Sequence, residues 1–586
     1  MTFKNFFTLS TTFLLLISNT IFAEPVKIKR ESREPEAATG YLTKKTIHGT
    51  QFMVAAANPY ASQAGFNILA QGGSAVDAAI AVQLVLTLVE PQSSGIGGGT
   101  FMLHWDNNKK NMTTFDGRET APSAATSELF LDKQRKPLRW IDAVVGGRSV
   151  GVPGLLATFK AAHDQFGRLP WPVLFEQAIT LATNGFVVSP RLEKLLSMNF
   201  NPGIHKLPEI NQYFFPEGKS LKAGDILVNK KLAKVYRSIA KEGIDVFYRG
   251  WIAKKIIEKI QNAAIAPGLL TLKDMAAYQV KERAPVCGFY HQYNICGMAP
   301  PSSGGIAVIQ ILGQLQAFDL AKYKPNSLDA MHLYTQSSRL AFADRNRYIA
   351  DADFVEVPTA GLIAPQYLAK RSLLIDPNKD MGKAVAGNPT GALALANDSA
   401  IERPSTSHLS IIDGQGNAVS MTSSIENGFG SALMVEGFIL NNQLTDFSLA
   451  PKKEGQWVAN RVEPNKRPRS SMAPMMIFNN DKSLKLVVGS PGGSRIINYV
   501  AQTIIGVLDW QLDPQEAINL PKITNRNYVT TLERNTSAEA LKPFLEAKGH
   551  KVQIRDLNSG LHVIEVTKAG LLGGADPRRE GIVLAK

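Results

Sequence analysis

Only two cysteines, Cys287 and Cys296, occur in 586 residues, and they do not form a C-x-x-C pair. Nine histidines run from His48 to His562 without the spacing of metal ligands. The sequence therefore predicts no metal and no cofactor. Aromatic interleaving of basic runs is also missing. Lys and Arg bring the formal net charge to +14, yet they are spread along the chain, and the densest cluster (Lys27, Lys29, Arg30, Arg33) lies in a polar leader. Such a pattern reads as a solvated basic surface and argues against a nucleic-acid partner. No internal repeat, low-complexity tract or confident membrane span is visible, so no stable membrane insertion is expected.

What is present begins with Lys4, an apolar run over 6–17 and Ile21-Phe22-Ala23 before Glu24-Pro25. This is the pattern of a signal peptide over 1–23, and it predicts a periplasmic or secreted protein. An uncleaved amino-terminal anchor is the alternative. Export permits disulfides, and Cys287 and Cys296 bracket eight residues that read as a hairpin, so a local disulfide is expected. With 44% hydrophobic residues, the chain can bury a large core.

Residues 52–57 read as a strand, and Asn58-Pro59 as a cap and first turn for a helix to about residue 70. A second helix over 74–89 has almost no polar face and should be buried. Strands follow at 101–105 and 113–116, the latter leading to Arg118. Helical patterns then dominate: 155–166, 171–182, 191–198, 231–242, 251–263, 307–318 and 328–348. Residues 376–404 lose periodicity and read as a long loop. Beyond it the chain is strand-rich, at 409–413, 418–424, 437–440, 475–478 and 484–488, before a helix over 496–508. The order predicts an α+β protein, with layers of helices around two sheets.

Two glycine motifs invite a functional reading and fail it. Gly95-Ile96-Gly97-Gly98-Gly99 lacks the Lys-Ser/Thr of a phosphate loop and precedes a strand, so close backbone packing is the better account. Gly147-Arg148-Ser149-Val150-Gly151 matches G-x-S-x-G, but Val152-Pro153-Gly154 separates it from the next helix, whereas a nucleophile elbow needs the helix at once.

Thr406 stands where the long loop turns into the 409–413 strand, whose partner at 418–424 follows Asp413-Gly414-Gln415-Gly416-Asn417. A threonine hydroxyl is a poor nucleophile without a base. Cutting the Ser405–Thr406 bond would supply one, because the new α-amine has an unperturbed pKa of about 7.7–8.0. Gly492-Gly493, at a strand-to-helix junction, offers successive backbone N–H groups for an oxyanion. Short polar groups crowd the same third of the chain: Ser424, Glu426, Gln443, Asp446, Ser470 and Ser471. With Arg118 they suit a zwitterion, Arg and hydroxyls meeting its carboxylate and acids its ammonium.

The chain resembles the γ-glutamyltransferases (γ-glutamyl transpeptidases), amino-terminal nucleophile hydrolases. The resemblance runs from about His48 to Gly581. It rests on Gly-Gly-Ser-Ala-Val-Asp-Ala-Ala (72–79), Glu-Pro-Gln-Ser-Ser-Gly-Ile-Gly-Gly-Gly (90–99), Phe-Asp-Gly-Arg-Glu (115–119), Pro-Pro-Ser-Ser-Gly-Gly (300–305), Thr-Ser-His (406–408), Asn-Asn-Gln-Leu-Thr-Asp-Phe (441–447), Pro-Asn-Lys-Arg-Pro-Arg-Ser-Ser-Met (464–472), Gly-Ser-Pro-Gly-Gly-Ser-Arg (489–495) and Ala-Asp-Pro-Arg-Arg-Glu-Gly (575–581). It implies a four-layer αββα sandwich and self-cleavage into a large subunit (24–405) and a small catalytic one (406–586) that stay together as a heterodimer. It also implies attack by Thr406 on the γ-glutamyl carbonyl of glutathione, an oxyanion held by Gly492 and Gly493, and a γ-glutamyl ester passed to water or to an amino acid or dipeptide. Arg118, Ser470 and Ser471 match the family's α-carboxylate contacts; Glu426, Gln443 and Asp446 match those near the α-amine. Three departures stand out. Ser424 takes the place of a second threonine, Glu426 replaces an asparagine, and the segment 449–463 is shorter than in long-lid members, with Trp457 in place of a lid tyrosine.

Overall fold

The computed structural model describes residues 2, 40–400, 402–403 and 405–586. Apart from residue 2, the signal peptide expected over 1–23 lies outside them. No helix among the described residues is long and apolar enough to cross a membrane.

Two seven-stranded antiparallel sheets lie face to face. The first runs edge to edge through Ile582–Ala585, Met53–Ala56, Ser407–Ile412, Ala418–Ser424, Gly99–Asp106, Asn111–Gly117 and Lys281–Arg283. The second runs through Ile47–Gly49, Gly570–Ala575, His562–Thr567, Leu484–Gly489, Met475–Phe478, Tyr293–Gly297 and Val286–Tyr290. Side-chain alternation sorts residues between layers. Met53, Ala55, Phe101 and Leu103 join the core shared with Leu486 and Val488 of the second sheet. Val54, Ala56, Leu409 and Ile411 join the core that includes the helices Pro59–Ala70 and Ala75–Val89. On the far side, Gly304–Leu315, Leu328–Tyr348 and Ile496–Leu508 cover the second sheet. The result is the αββα sandwich. Polar links cross between the sheets: Ser410 Oγ donates to the His562 carbonyl at 3.0 Å and Ser420 Oγ to the Val488 carbonyl at 3.2 Å.

Local chemistry accounts for the elements nearest the site. Asn58 Oδ1 caps its helix from the Tyr60 N–H at 3.0 Å, and Ser74 with Asp77 forms a reciprocal capping box for Ala75–Val89. Every residue of that second helix is buried. In the hairpin after Thr406, Asp413 Oδ1 accepts from the Gln415 and Asn417 N–H groups, while Gly416 takes φ +78°. Two boundaries differ from expectation. The segment expected as one helix over 171–182 splits into a 3₁₀ turn, Trp171–Phe175, and the helix Glu176–Asn184. The helix expected from Ala307 starts at Gly304, where a Cβ would come within 2.5 Å of Ala473, so the glycine serves close packing rather than a turn.

Cys287 and Cys296 face each other in the Val286–Tyr290/Tyr293–Gly297 hairpin, with sulfurs 2.06 Å apart.

Candidate active site

The predicted site residues converge. Arg118, Thr406, Ser424, Glu426, Gln443, Asp446, Ser470, Ser471 and Gly493 line one pocket, joined by Glu402, Arg403, Met472 and Ile496. The space left inside is about 20 Å³, room for a water or two and too little for a glutamyl group. Gly492 does not border it. Its φ of +138° and the Tyr499 ring, 2.7 Å from where a Cβ would lie, make it the turn that aims Gly493.

Thr406 is 3% exposed, at the mouth of the Ser407–Ile412 strand. The loop over 90–94 fixes this junction. Ser405 Oγ donates to the Gln92 carbonyl at 2.6 Å and Ser407 Oγ to Glu90 at 2.8 Å. The Ser405 carbonyl accepts from Ser424 Oγ at 2.8 Å, and Ser424 Oγ in turn accepts from the Glu426 N–H at 2.8 Å. The glycine run packs directly behind Ser424. A Cβ on Gly98 would stand 2.2 Å from the Ser424 carbonyl, so this loop is a close-approach device, as its sequence suggested.

One wall is acidic. Asp446 Oδ2 accepts from Arg118 Nη2 at 2.6 Å and from Gln443 Nε2 at 2.8 Å. Glu426 accepts from Asn442 Nδ2 and has φ +76°, a left-handed conformation costly for glutamate. Burial pushes the Asp446 carboxyl up to about 6 against the pull of Arg118. Burial, then the neighbouring Asp446, drives Glu426 well above the usual carboxylate range. Three oxygens on this wall, Glu426 Oε1, Gln443 Oε1 and Asp446 Oδ1, are buried and accept no hydrogen bond.

The remaining lining side chains already pair within the protein. Arg118, predicted to meet a substrate carboxylate, donates to Asp446 and to the Pro468 and Arg469 carbonyls. Ser470 Oγ accepts from the Met472 N–H at 3.1 Å. Ser471 Oγ accepts from Arg345 Nη2 at 2.6 Å and donates to Glu402. Glu402 also receives Arg345 Nη2, and Arg469 Nη2 at 3.3 Å. Although burial opposes ionisation, Arg345 and Arg469 hold the Glu402 carboxyl down at about 2. Glu402, Arg345 and Arg469 are the site residues that sequence reasoning missed. Glu402 sits in an aperiodic loop and Arg345 in the last turn of the helix Leu328–Tyr348; only the fold joins them. Glu119 follows Arg118 directly in the sequence. It is fully buried, and its pKa is raised to about 8, chiefly by that burial.

Two other expectations resolve clearly. Ser149 is buried in a 3₁₀ turn, its hydroxyl held by the Val144 and Gly146 carbonyls at 2.7 and 3.1 Å, so it is a structural serine. The 449–463 segment carries a two-stranded ribbon, Lys452–Lys453 with Gln456–Trp457. Trp457 lies under Lys452 and Arg461, away from the pocket lining.

The family model described as gamma-glutamyltranspeptidase matches residues 61–585. The glutathione hydrolase proenzyme of Escherichia coli (strain K12) is 38% identical over 542 residues, 91% of each chain. That of Bacillus subtilis (strain 168) is 37% identical over 546 residues, 92% of this chain and 91% of the other. Among solved structures, a cephalosporin acylase from Bacillus halodurans superposes with a TM-score of 0.82 at 27% identity, covering 93% of this chain and 97% of that one. On the length of these matches, the chain belongs to the gamma-glutamyltranspeptidase family.

Proposed function

We propose that the chain is a self-processing enzyme that cuts its own Ser405–Thr406 bond and then cleaves the γ-glutamyl amide of glutathione and related compounds, passing the glutamyl group to water or to an amino acid or dipeptide. In the first reaction Thr406 Oγ attacks the Ser405 carbonyl carbon. The C–N bond to Thr406 breaks, its electron pair takes up a proton, and an ester joins Ser405 to the Thr406 hydroxyl. Water then hydrolyses that ester. The Ser424 hydroxyl, 2.8 Å from the Ser405 carbonyl oxygen, is placed to support the developing negative charge. The products are a 24–405 subunit and a 406–586 subunit. Both supply strands to each sheet, so they remain one heterodimer.

In the second reaction the freed α-amine of Thr406 takes the hydroxyl proton as the oxygen attacks the γ-glutamyl carbonyl. Gly493 lies beside the nucleophile, and the Gly492-Gly493 amides receive the oxyanion. Arg118, Ser470 and Ser471 meet the α-carboxylate. One observation carries the substrate class. Three buried oxygens, Glu426 Oε1, Gln443 Oε1 and Asp446 Oδ1, lack donors in a single pocket, and an ammonium brings three N–H groups on one atom. Export through the 1–23 signal would place this reaction in the periplasm or outside the cell.

A second reading, an acylase for amides without an α-ammonium, draws on the likeness to the cephalosporin acylase. The acidic wall opposes it. Glutamate release from glutathione, compared with release of the acid from a glutaryl amide that lacks only the ammonium, tests the choice. Preference for glutathione supports the γ-glutamyl reading, and preference for the glutaryl amide overturns it.

A further inference from the structure

Lys44 Nζ stands at the focus of a single turn near the carboxyl end. It donates to the carbonyls of Asp576, Arg579 and Gly581 at 2.7, 2.8 and 2.5 Å. An ammonium carries three N–H groups, and here each has its own acceptor. The Leu42 N–H adds a further link, to the Pro577 carbonyl at 2.9 Å. The segment leading into the first strand is thus fastened to a turn 532 to 537 residues further along the chain. That turn has its own frame. Asp576 Oδ1 accepts from the Arg578 N–H at 3.0 Å and Oδ2 from the Leu561 N–H at 3.1 Å, while the Arg579 N–H donates to the Asp576 carbonyl at 3.3 Å. Carbonyls that converge on one point repel unless a donor sits between them. A compact ammonium fits that point, and a planar guanidinium does not.

The other face of the turn meets the strand that begins after Thr406. Arg579 Nη1 donates to the Thr406 carbonyl at 3.4 Å, while its Nε and Nη2 donate to the Ser559 and Asn558 carbonyls at 3.2 and 3.3 Å. The slot that holds Arg579 is narrow. A Cβ on Gly560 would lie 2.7 Å from Arg579 Nε and 2.5 Å from Pro491, the residue before Gly492-Gly493. Gly581 backs onto His562, where a Cβ would lie 2.4 Å from the ring Nε2. The His562 ring stacks in turn on that of His408, two residues after Thr406, with centroids 6.3 Å apart.

We propose that Lys44 is a positioning residue for Thr406: its ammonium holds the 576–581 turn in the shape that seats Arg579 on the Thr406 carbonyl. The inference rests on the reading of Thr406 as the nucleophile. Lys44 lies in the 24–405 part of the chain and the turn in the 406–586 part, so after the cut the larger fragment still sets the nucleophile of the smaller one. Lys44 touches neither substrate nor reacting atoms and acts through Arg579. Without its three hydrogen bonds the turn relaxes and Thr406 shifts, and a displacement of about 1 Å caused far from the chemistry costs about 10²-fold in rate. Arg118, Glu426 and Asp446, which meet the substrate, stand on other elements, so substrate binding is spared.

The test uses Lys44→Cys, purified without reductant. The two native cysteines are joined in the hairpin disulfide, so the introduced thiol is the one that alkylates. Reaction with 2-bromoethylamine rebuilds a lysine-like side chain with sulfur in place of one CH₂, whereas iodoacetamide leaves a neutral amide. For glutamate release from glutathione, Lys44→Cys is expected to lower kcat about tenfold while KM stays within about twofold of wild type. Aminoethylation recovers most of the lost kcat, and the neutral reagent recovers none. An unchanged kcat in Lys44→Cys, a rise in KM in its place, or equal recovery with the neutral reagent overturns the proposal. Insolubility of Lys44→Cys, Lys44→Met and Lys44→Arg alike also overturns it, because Lys44 then serves general stability. A wild-type enzyme that releases no glutamate from glutathione defeats the γ-glutamyl reading alone, since the rate of cutting at Ser405–Thr406 in Lys44→Cys against wild type, read on a denaturing gel, still reports on how Thr406 is held.

Discussion

Ser424 Oγ donates to the Ser405 carbonyl oxygen at 2.8 Å, across 19 residues of sequence and directly at the bond proposed to break. The contact gives Ser424 a first duty in maturation. Removing a single oxyanion donor costs about 10²–10³ in rate. Ser424→Ala should therefore slow appearance of the two fragments by about that factor, while Ser424→Thr, which keeps the hydroxyl, stays within a few-fold. The fraction of cut chain against time after purification, read on a denaturing gel, checks this. Equal rates for Ser424→Ala and wild type would remove the role.

The acidic wall sets a pH dependence. Asp446, held at about 6 chiefly by burial, is ionised above that pH and pairs with the substrate ammonium; below it the carboxyl is neutral and the pairing weakens. KM for glutathione should be flat above about pH 7 and rise as pH falls from 6 toward 5. Asp446→Asn should show a high KM with little of this slope. A KM profile over pH 5–8 for both enzymes is the measurement.

Glu119 offers a test of stability. Its folded-state pKa of about 8 is raised above the ordinary value of 4.5, so its contribution is fully present below pH 4.5 and is lost as pH rises through 8. Both of its oxygens are buried and accept no hydrogen bond. Glu119→Gln cannot ionise, and its apparent Tm relative to wild type should climb between pH 5 and 8. A difference independent of pH would show that the carboxyl is not held neutral.

The two hydroxyl candidates separate cleanly. Ser149→Ala loses hydrogen bonds to the Val144 and Gly146 carbonyls, about 1 kcal/mol of stability, and keeps its activity once folded. Thr406→Ala stays uncut and inactive. Activity lost in the first and kept in the second would restore the serine-hydrolase alternative.

Much of this was legible in the sequence because it is local. The hairpin after Thr406 follows from its alternating apolar residues and its Asp-Gly-Gln-Gly-Asn turn, and the buried Ala75–Val89 helix from its missing polar face. The family motifs brought Arg118, Glu426, Gln443, Asp446, Ser470 and Ser471 to one place. What stayed hidden depends on contacts that no spacing encodes. Glu402 reaches Arg345 across 57 residues and Arg469 across 67. The sequence assigns Arg118 to a substrate carboxylate, and no spacing reveals its pairing with Asp446, which follows because a buried guanidinium must find acceptors within the protein. The start of the Gly304–Leu315 helix is not legible because glycine usually breaks helices, and here close packing against Ala473 outweighs that preference.

On the proposed mechanism one bond, Ser405–Thr406, is cut by the chain itself and the new end is the nucleophile. Amino-terminal sequencing of the smaller fragment, from protein incubated alone until it is active, tests this most directly. The expected result is a fragment beginning with Thr406, formed in step with glutamate release from glutathione. A fully active protein that remains a single uncut chain, or whose smaller fragment begins elsewhere, would contradict it.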